Sequence, residues 1–396
     1  MKKIGVYDGE VPKYIAKTDG YWIQYKGEKE PCLDLTTGYG AFLLGYNNRT
    51  ILDAMYKNLD VQFLRGTTSD LSEQVEELTN FITEEGNWSG ITWAVSGSDG
   101  IESAIYANDM YWTRTSGYRP KIISLVPGYH GATFISRHLR GAYQEIGRAS
   151  MIPSPQWHTI EERDQQESHA LFEIIKLLDQ DKDKQIGCLI METSPWVGDM
   201  CPWSENWWKE IRKICDHYGI LWILDDIAVC WGKHGTWFGY EPFGVKPDMN
   251  VFGKALTGGY SPLSAVVFNE QISEVLTRDN YDYGHTWQPN LWGIAASLAV
   301  SKYMINNNLF PRVPLINQEL KNISKEYGFK MRGDFLFVIM DTPRMISSGE
   351  LHEVGLSSGL PNNDISTGTG NIKFCLPLTA DDEYFYTLRK RLKLLF

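Results

Sequence analysis

A chain of 396 residues, 43% hydrophobic and 22% charged, has room for two domains, or for one large domain and a satellite. Its 49 acidic and 38 basic side chains leave a net charge of −11, with no block of basic residues, which argues against nucleic acid or an anionic membrane as the main partner. No apolar run reaches the roughly 18 residues of a transmembrane helix, and the six cysteines are scattered with no close-spaced metal pair.

At the N-terminus, Lys2 and Lys3 precede a polar, interrupted stretch from Gly5 to Asp19, unlike an apolar secretory segment. The cysteines read as reduced, mostly buried thiols, so a cytoplasmic setting is expected. The 14 tryptophans read as core and interface packing. Tyr21–Tyr25 and Cys32–Leu35 predict short strands around the turn-forming residues Lys26–Glu30. From about residue 70 to 300, short apolar runs alternate with helical patterns. The runs Ile91–Val95, Lys121–Val126, Cys188–Met191, Leu221–Leu224, Met249–Phe252 and Ser264–Phe268 predict strands covered on both faces. Between them, Leu171, Ile174, Ile175 and Leu178 stripe one helix over Ser168–Leu178. Trp207, Ile211, Ile214 and Tyr218 stripe another over Glu205–Tyr218, which Gly219 closes. After Asn308, strands are expected at Phe335–Met340 and Ile372–Cys375. The order predicts an α/β fold with a mostly parallel central sheet in a large domain, 53–305, and a smaller α/β domain built from both chain ends, 1–52 and 306–396. There is no internal repeat and no low-complexity tract.

Four features fall at or just after strand ends, where open α/β sheets place ligands. Ser96-Gly97-Ser98-Asp99-Gly100 joins a strand to a helix starting near Ile101, and its backbone N–H groups and hydroxyls suit a phosphate at the helix's positive end; a tight turn alone would look the same. Tyr129-His130-Gly131 puts an aromatic ring where it can stack on a flat heterocycle; a capped loop with a core tyrosine is the alternative. Asp225-Asp226 closes a buried strand, where carboxylates are costly without a partner. A protonated pyridine nitrogen would be such a partner, in an ion pair worth roughly 1.4–4 kcal/mol; a metal is the competing reading, with His234 the nearby candidate ligand. Lys254, between Gly253 and the pair Gly258-Gly259, follows an apolar strand. Partial burial there lowers a lysine's pKa and frees the amine for Schiff-base chemistry, against the alternative of a lysine snorkelling from a strand end.

In this order the motifs resemble the class III, or ω-amino acid type, aminotransferases of fold type I. The resemblance runs over nearly the whole chain. Leu33-Asp34 through Leu44-Gly45-Tyr46 is similar to the family's N-terminal stretch, and Ser96–Glu102 to its phosphate cup, with Gly100 in place of alanine. Tyr129-His130-Gly131, Glu192 at its strand end, Asp225-Asp226-Ile227 and Gly284-His285-Thr286 each match a landmark, as do Arg332-Gly333 and Leu376-Pro377-Leu378 further on. The resemblance implies a transaminase that works in ping-pong steps with pyridoxal 5′-phosphate. Lys254 would be the Schiff-base lysine and proton shuttle, and Asp225 the partner of the ring nitrogen. Tyr129 and His130 would lie at the ring, Gly97 and Ser98 would hold the phosphate, and Thr286 would hold it from a second subunit, making the active unit a homodimer. Glu192 and Glu102 are carried over as acids that organise the site, Glu102 on the substrate side with Tyr39.

Departures bear on the substrate. Lys373 stands where many relatives carry a carboxylate-binding arginine, and lysine is a point charge, not a planar fork. Val229–Gly235 replaces the family's usual segment after the paired acids. Leu256–Tyr260, with Leu263-Ser264-Ala265 and Tyr111-Trp112, is locally similar to the diaminopelargonic acid synthase branch. An aminomutase of the glutamate-1-semialdehyde type, a lyase, and a non-catalytic cofactor-binding protein remain alternatives on the same fold.

Overall fold

The computed structural model describes residues 13–57, 72–140, 147–155, 160–195, 202–358 and 369–396. The first twelve residues, which bear on the question of a leader, and Cys201 lie outside that set. The other five cysteines are free and buried.

The chain opens with three short strands, β1 (Ile15–Asp19), β2 (Trp22–Tyr25) and β3 (Cys32–Asp34). Seven more follow: β4 (Gly90–Ala94), β5 (Lys121–Val126), β6 (Ala149–Pro153), β7 (Ile186–Glu192), β8 (Leu221–Asp225), β9 (Met249–Phe252) and β10 (Ser264–Phe268). These seven form the central sheet, in the order β4-β10-β9-β8-β7-β5-β6. The last four are β11 (Lys330–Asp334), β12 (Phe337–Thr342), β13 (Leu356–Ser357) and β14 (Gly370–Cys375). β11, β12 and β14 make an antiparallel sheet, while β13 pairs in parallel with β3 and completes the sheet of β1, β2 and β3. The two ends of the chain therefore share a sheet.

Every residue of β7 and β8 is buried, as expected of strands covered by helices on both faces. The neighbours from β6 to β9 run parallel. β10 alone is reversed, antiparallel to both β4 and β9. A continuous apolar run carries no sign of direction, so this reversal is a feature of the fold and not of the pattern.

The helices follow their local chemistry. Over Glu205–Tyr218, Ser204 Oγ accepts from Trp207 N at 3.1 Å, and Gly219 ends the helix at φ 61°. Trp207, Trp208, Ile211 and Ile214 are buried on its sheet-facing side. Each buried indole removes about 150–250 Å² from water, worth roughly 4–6 kcal/mol of gross hydrophobic gain. The helix Gly97–Thr115 lies close on β9 and β10. A Cβ on Gly100 would come within 2.7 Å of Ser264 Oγ and 2.8 Å of Val251 Cγ1, so glycine is what permits that approach.

Two elements extend beyond the periodic pattern. The helix expected over Ser168–Leu178 spans Ile160–Gln180, because its first turns are polar and carry no stripe. Lys121–Val126 is flanked by β6, a half-exposed edge strand ending in Pro153, whose short mixed sequence gives little period to read.

Candidate active site

Parallel strands put all their carboxyl ends on one rim, and the candidate residues meet there around a cavity of about 200 Å³. Ser96, Gly97 and Ser98 come from the turn after β4, and Tyr129, His130 and Gly131 from the loop after β5. Glu192 ends β7, Asp225 ends β8 with Ile227 and Ala228 just beyond, and Lys254 follows β9.

One side of the cavity is a helix start. Ser96 caps the helix Gly97–Thr115, its Oγ accepting from Asp99 N at 3.3 Å. The first N–H groups of a helix lack partners within it, so Gly97 and Ser98 present donors at its positive end. Gly97 lies close under Ile227: a Cβ there would be 2.7 Å from Ile227 Cδ1 and would push that side chain aside. Ser98 Oγ accepts from Ala132 N at 3.1 Å, tying the cup to the loop that carries Tyr129 and His130. Asp99 braces the turn from behind, accepting from Val95 N at 2.9 Å and from Tyr283 Oη at 2.6 Å, with His285 Nε2 at 2.9 Å. Burial pushes the Asp99 carboxyl up, but the Tyr283 and His285 hydrogen bonds outweigh it and hold it below the ordinary value.

The paired acids point to different partners. Asp225 Oδ2 sits 2.8 Å from His130 Nδ1 with both side chains buried, and Asp225 Oδ1 accepts from Ile227 N at 3.2 Å. Burial alone would depress His130, but the hydrogen bond and charge of Asp225 prevail and raise it above its ordinary 6.5. Asp226 accepts from Thr193 Oγ1 at 2.7 Å and Gly239 N at 2.8 Å, and burial pushes it up to about 7. His234 is buried, its Nδ1 2.8 Å from the Gly239 carbonyl and its ring stacked on Phe335, and burial lowers it to about 4. Asp226 and His234 are thus engaged in structural contacts, and the metal reading loses both of the ligands it would add to Asp225.

Lys254 opens a tight turn, Lys254–Thr257, at a φ of 44°. Burial lowers its pKa first and the charge of Lys233 lowers it further, against the opposing pull of Asp225. Glu192 Oε2 accepts from Tyr129 N at 3.0 Å, which fixes the loop whose ring lines the cavity. The Arg140 guanidinium lies 4.3 Å from that ring's centre. The set fits a phosphorylated pyridine aldehyde: helix donors for the phosphate, a carboxylate for a protonated ring nitrogen, and an amine of lowered pKa for the aldehyde.

Four expected residues lie off the cavity wall. Glu102 Oε1 accepts from Ile135 N at 2.8 Å and Ser136 N at 3.4 Å, capping the short helix Phe134–His138. Thr286 is exposed beside His285, Tyr39 is 59% exposed, and Lys373 is buried in β14 opposite Ile339. The pairing of His130 with Asp225 and the burial of Lys233 are two structural features that the motifs did not foretell.

Comparison with known proteins places this geometry. The aminotransferase class-III family model matches residues 6–394. An aminotransferase of Gibberella zeae is 26% identical over 305 residues, covering 71% of this chain, which spans only 59% of that relative's length. Acetylornithine aminotransferase of Caldanaerobacter subterraneus subsp. tengcongensis is 25% identical over 380 residues, covering 94% and 91% of the two chains. Among solved structures, taurine:2-oxoglutarate aminotransferase from Bifidobacterium kashiwanohense, in complex with PLP and glutamate, superposes with a TM-score of 0.85 at 22% identity, over 100% of this chain and 95% of that one.

Proposed function

This chain belongs to the class-III aminotransferase family, and on that premise we propose that it is a pyridoxal 5′-phosphate-dependent transaminase moving an amino group from an amine or amino acid to a keto or aldehyde acceptor. The observation that carries the reading is the placement of Asp225 and Lys254 at neighbouring strand ends of one cavity, closed on another side by the helix start at Gly97 and Ser98.

Gly97 and Ser98 would hold the phosphate, Tyr129 the face of the ring and Asp225 its nitrogen. When bound, the cofactor supplies a carbonyl carbon for amines to attach to and a ring that takes up the electron pair left by a departing proton. Lys254 Nζ would carry that proton: burial and the charge of Lys233 lower its pKa, which favours the neutral, proton-accepting amine. His130 holds the Asp225 carboxylate in place, and Glu192 holds the Tyr129 loop. Thr286 is exposed and off this cavity; in the homodimer that the family resemblance implies, it would reach the phosphate of the second copy. Among the described residues, no helix is long and apolar enough to cross a membrane.

The test is a donor and acceptor panel read by the cofactor's absorbance. α-Amino acids, ω-amino acids and diamines should bleach the band, and keto acids, including the acceptor of the diaminopelargonic acid synthase reaction, should restore it. If no amine changes the spectrum, the proposal fails. Product formed from one substrate without a second acceptor would move the assignment to an aminomutase.

A further inference from the structure

A second cluster of reactive side chains lies outside the Lys254 cavity, where the two ends of the chain meet. Cys32 on β3, Glu28 in the turn before it and His352 on the short helix Ser348–Glu353 line a groove of about 860 Å³. A carboxylate oxygen of Glu28, the Cys32 sulfur and a ring nitrogen of His352 all lie within 4.8 Å of one another. Among the described residues, no other three potential metal ligands of this kind come together.

The two nitrogens of the imidazole face different partners. Cys32 Sγ sits 3.6 Å from His352 Nδ1, and Glu28 Oε1 sits 2.7 Å from Nε2. A carboxylate at Nε2 fixes the ring proton there, which leaves the Nδ1 lone pair turned toward the sulfur. The Tyr25 ring packs edge-on against the imidazole, 4.9 Å between centres, and holds its plane. A tetrahedral zinc ion at about 2.3 Å from sulfur and about 2.0–2.1 Å from nitrogen sets those two atoms about 3.5 Å apart. The pair already has that spacing. Cys32 is 1% exposed yet belongs to the groove wall, which suits a small ion and excludes a bulky electrophile. Arg391, a cation of the same groove, donates to the Gly355 and Pro31 carbonyls and lies over the Trp22 ring, so the backbone holds it and not the acid of the cluster.

We infer that this cluster binds a borderline-soft divalent cation of the Zn²⁺ type. Cys32 Sγ and His352 Nδ1 are the ligands, Glu28 is the carboxylate that orients the imidazole, and water fills the positions facing the groove. The ion takes the place of the thiol proton, which leaves to solvent. Two protein ligands make it exchangeable and not permanent. Its effect is that of a clasp. β13 meets β3 over only two residue pairs, Leu356 with Leu33 and Ser357 with Asp34, and an ion between Cys32 and His352 closes that junction across 320 positions of chain. Asp34 lies just beyond Cys32 and holds the Thr37–Gly40 turn, accepting from Gly38 N at 3.0 Å and Tyr46 Oη at 2.7 Å. The inference is independent of the proposed transaminase function.

The holoenzyme, freed of adventitious metal with a chelator, is titrated with Zn²⁺ and separately with Co²⁺ against a chromophoric chelator. Wild type should take up about one equivalent, and bound Co²⁺ should show the d–d bands of a tetrahedral thiolate site, at longer wavelength than the cofactor. Cys32→Ala and His352→Gln should each weaken uptake at least about tenfold, and C32A should abolish the Co²⁺ bands. Zn²⁺ should raise the melting temperature of wild type and of neither variant. His352 is only half-buried, so H352Q decides the matter if C32A does not fold. No stoichiometric uptake by wild type, or uptake and thermal protection that survive in either variant, would mean that Cys32 and His352 share only a hydrogen bond, and overturns the inference.

Discussion

The two sides of the cavity are built to different standards. On the side of Asp225, His130, Glu192 and the Ser96 cap, each charged or polar group has a partner within 3.3 Å, and the pieces come from four strands of one sheet. On the side of Lys233, Ala228 and the Thr37–Gly40 turn, a buried lysine amine has no hydrogen-bond partner among the described residues and lies beside a turn of four positive-φ residues. The first side is preorganised for a fixed occupant. The second side lacks such pairing at Lys233 among the described residues.

The strongest test of the preorganised side is Lys254→Ala. Loss of both the attachment point and the proton carrier should lower kcat by about 10³-fold or more, with the cofactor's visible band displaced, in stopped-flow and spectral assays. Retained activity would dissolve the distinction between the two sides. Next in size is Asp225→Asn. It removes the charge proposed to face the ring nitrogen, so kcat should fall by roughly 10–10³-fold and cofactor retention on dialysis should weaken. His130 also loses its carboxylate there, so a pH-independent loss would show that the ring contact is the larger effect.

A smaller effect is expected on the strained side. Gly40 sits at φ +79°, so Gly40→Ala should cost about 1–2 kcal/mol of stability in urea titration, with the added methyl crowding Lys233 Cε. If G40A is neutral, the turn is not held as tightly as its hydrogen bonds to Asp34 imply. The smallest effect concerns pH. The folded-state pKa of His130 is raised above 6.5, so its contribution to stability is complete below that pH and is lost as pH rises through the folded value. His130→Asn should remove this decline, so that the gap in melting temperature between wild type and variant narrows as pH is raised past neutrality.

The legibility of the chain divides along the same line. Lys121–Val126, Met249–Phe252 and Ser264–Phe268 match their strands residue for residue, and Glu205–Tyr218 matches its helix, because burial on both faces or on one stripe imposes a period that survives in the letters. β1, exposed at four of its five positions, has no such imprint. That residues such as Gly97, Tyr129, Asp225 and Lys254 would meet at the strand ends was legible because strand ends and glycine turns are local features. The His130–Asp225 contact joins residues 95 apart and exists only once β5 and β8 lie in one sheet. Lys233 was hidden for another reason: a lysine between glycine and histidine looks solvated, and nothing in the sequence says that Gly40 and Cys375 will cover it.

The reversal of β10 has a mechanical consequence. Because it runs back along β9, with Ala265 beside Phe252, and along β4, with Ser264 beside Ala94, the eleven or so residues from Gly253 to Leu263 leave the sheet and re-enter it on the same edge. Lys254 is therefore mounted on a short loop pinned at both feet, and Thr257 Oγ1 tightens that loop further by donating to the Ser261 carbonyl at 2.6 Å. The mount is tied down at both ends. In the proposed reaction, travel of the amine would come from rotation about its own four methylenes, like the arm of a crane on a fixed base.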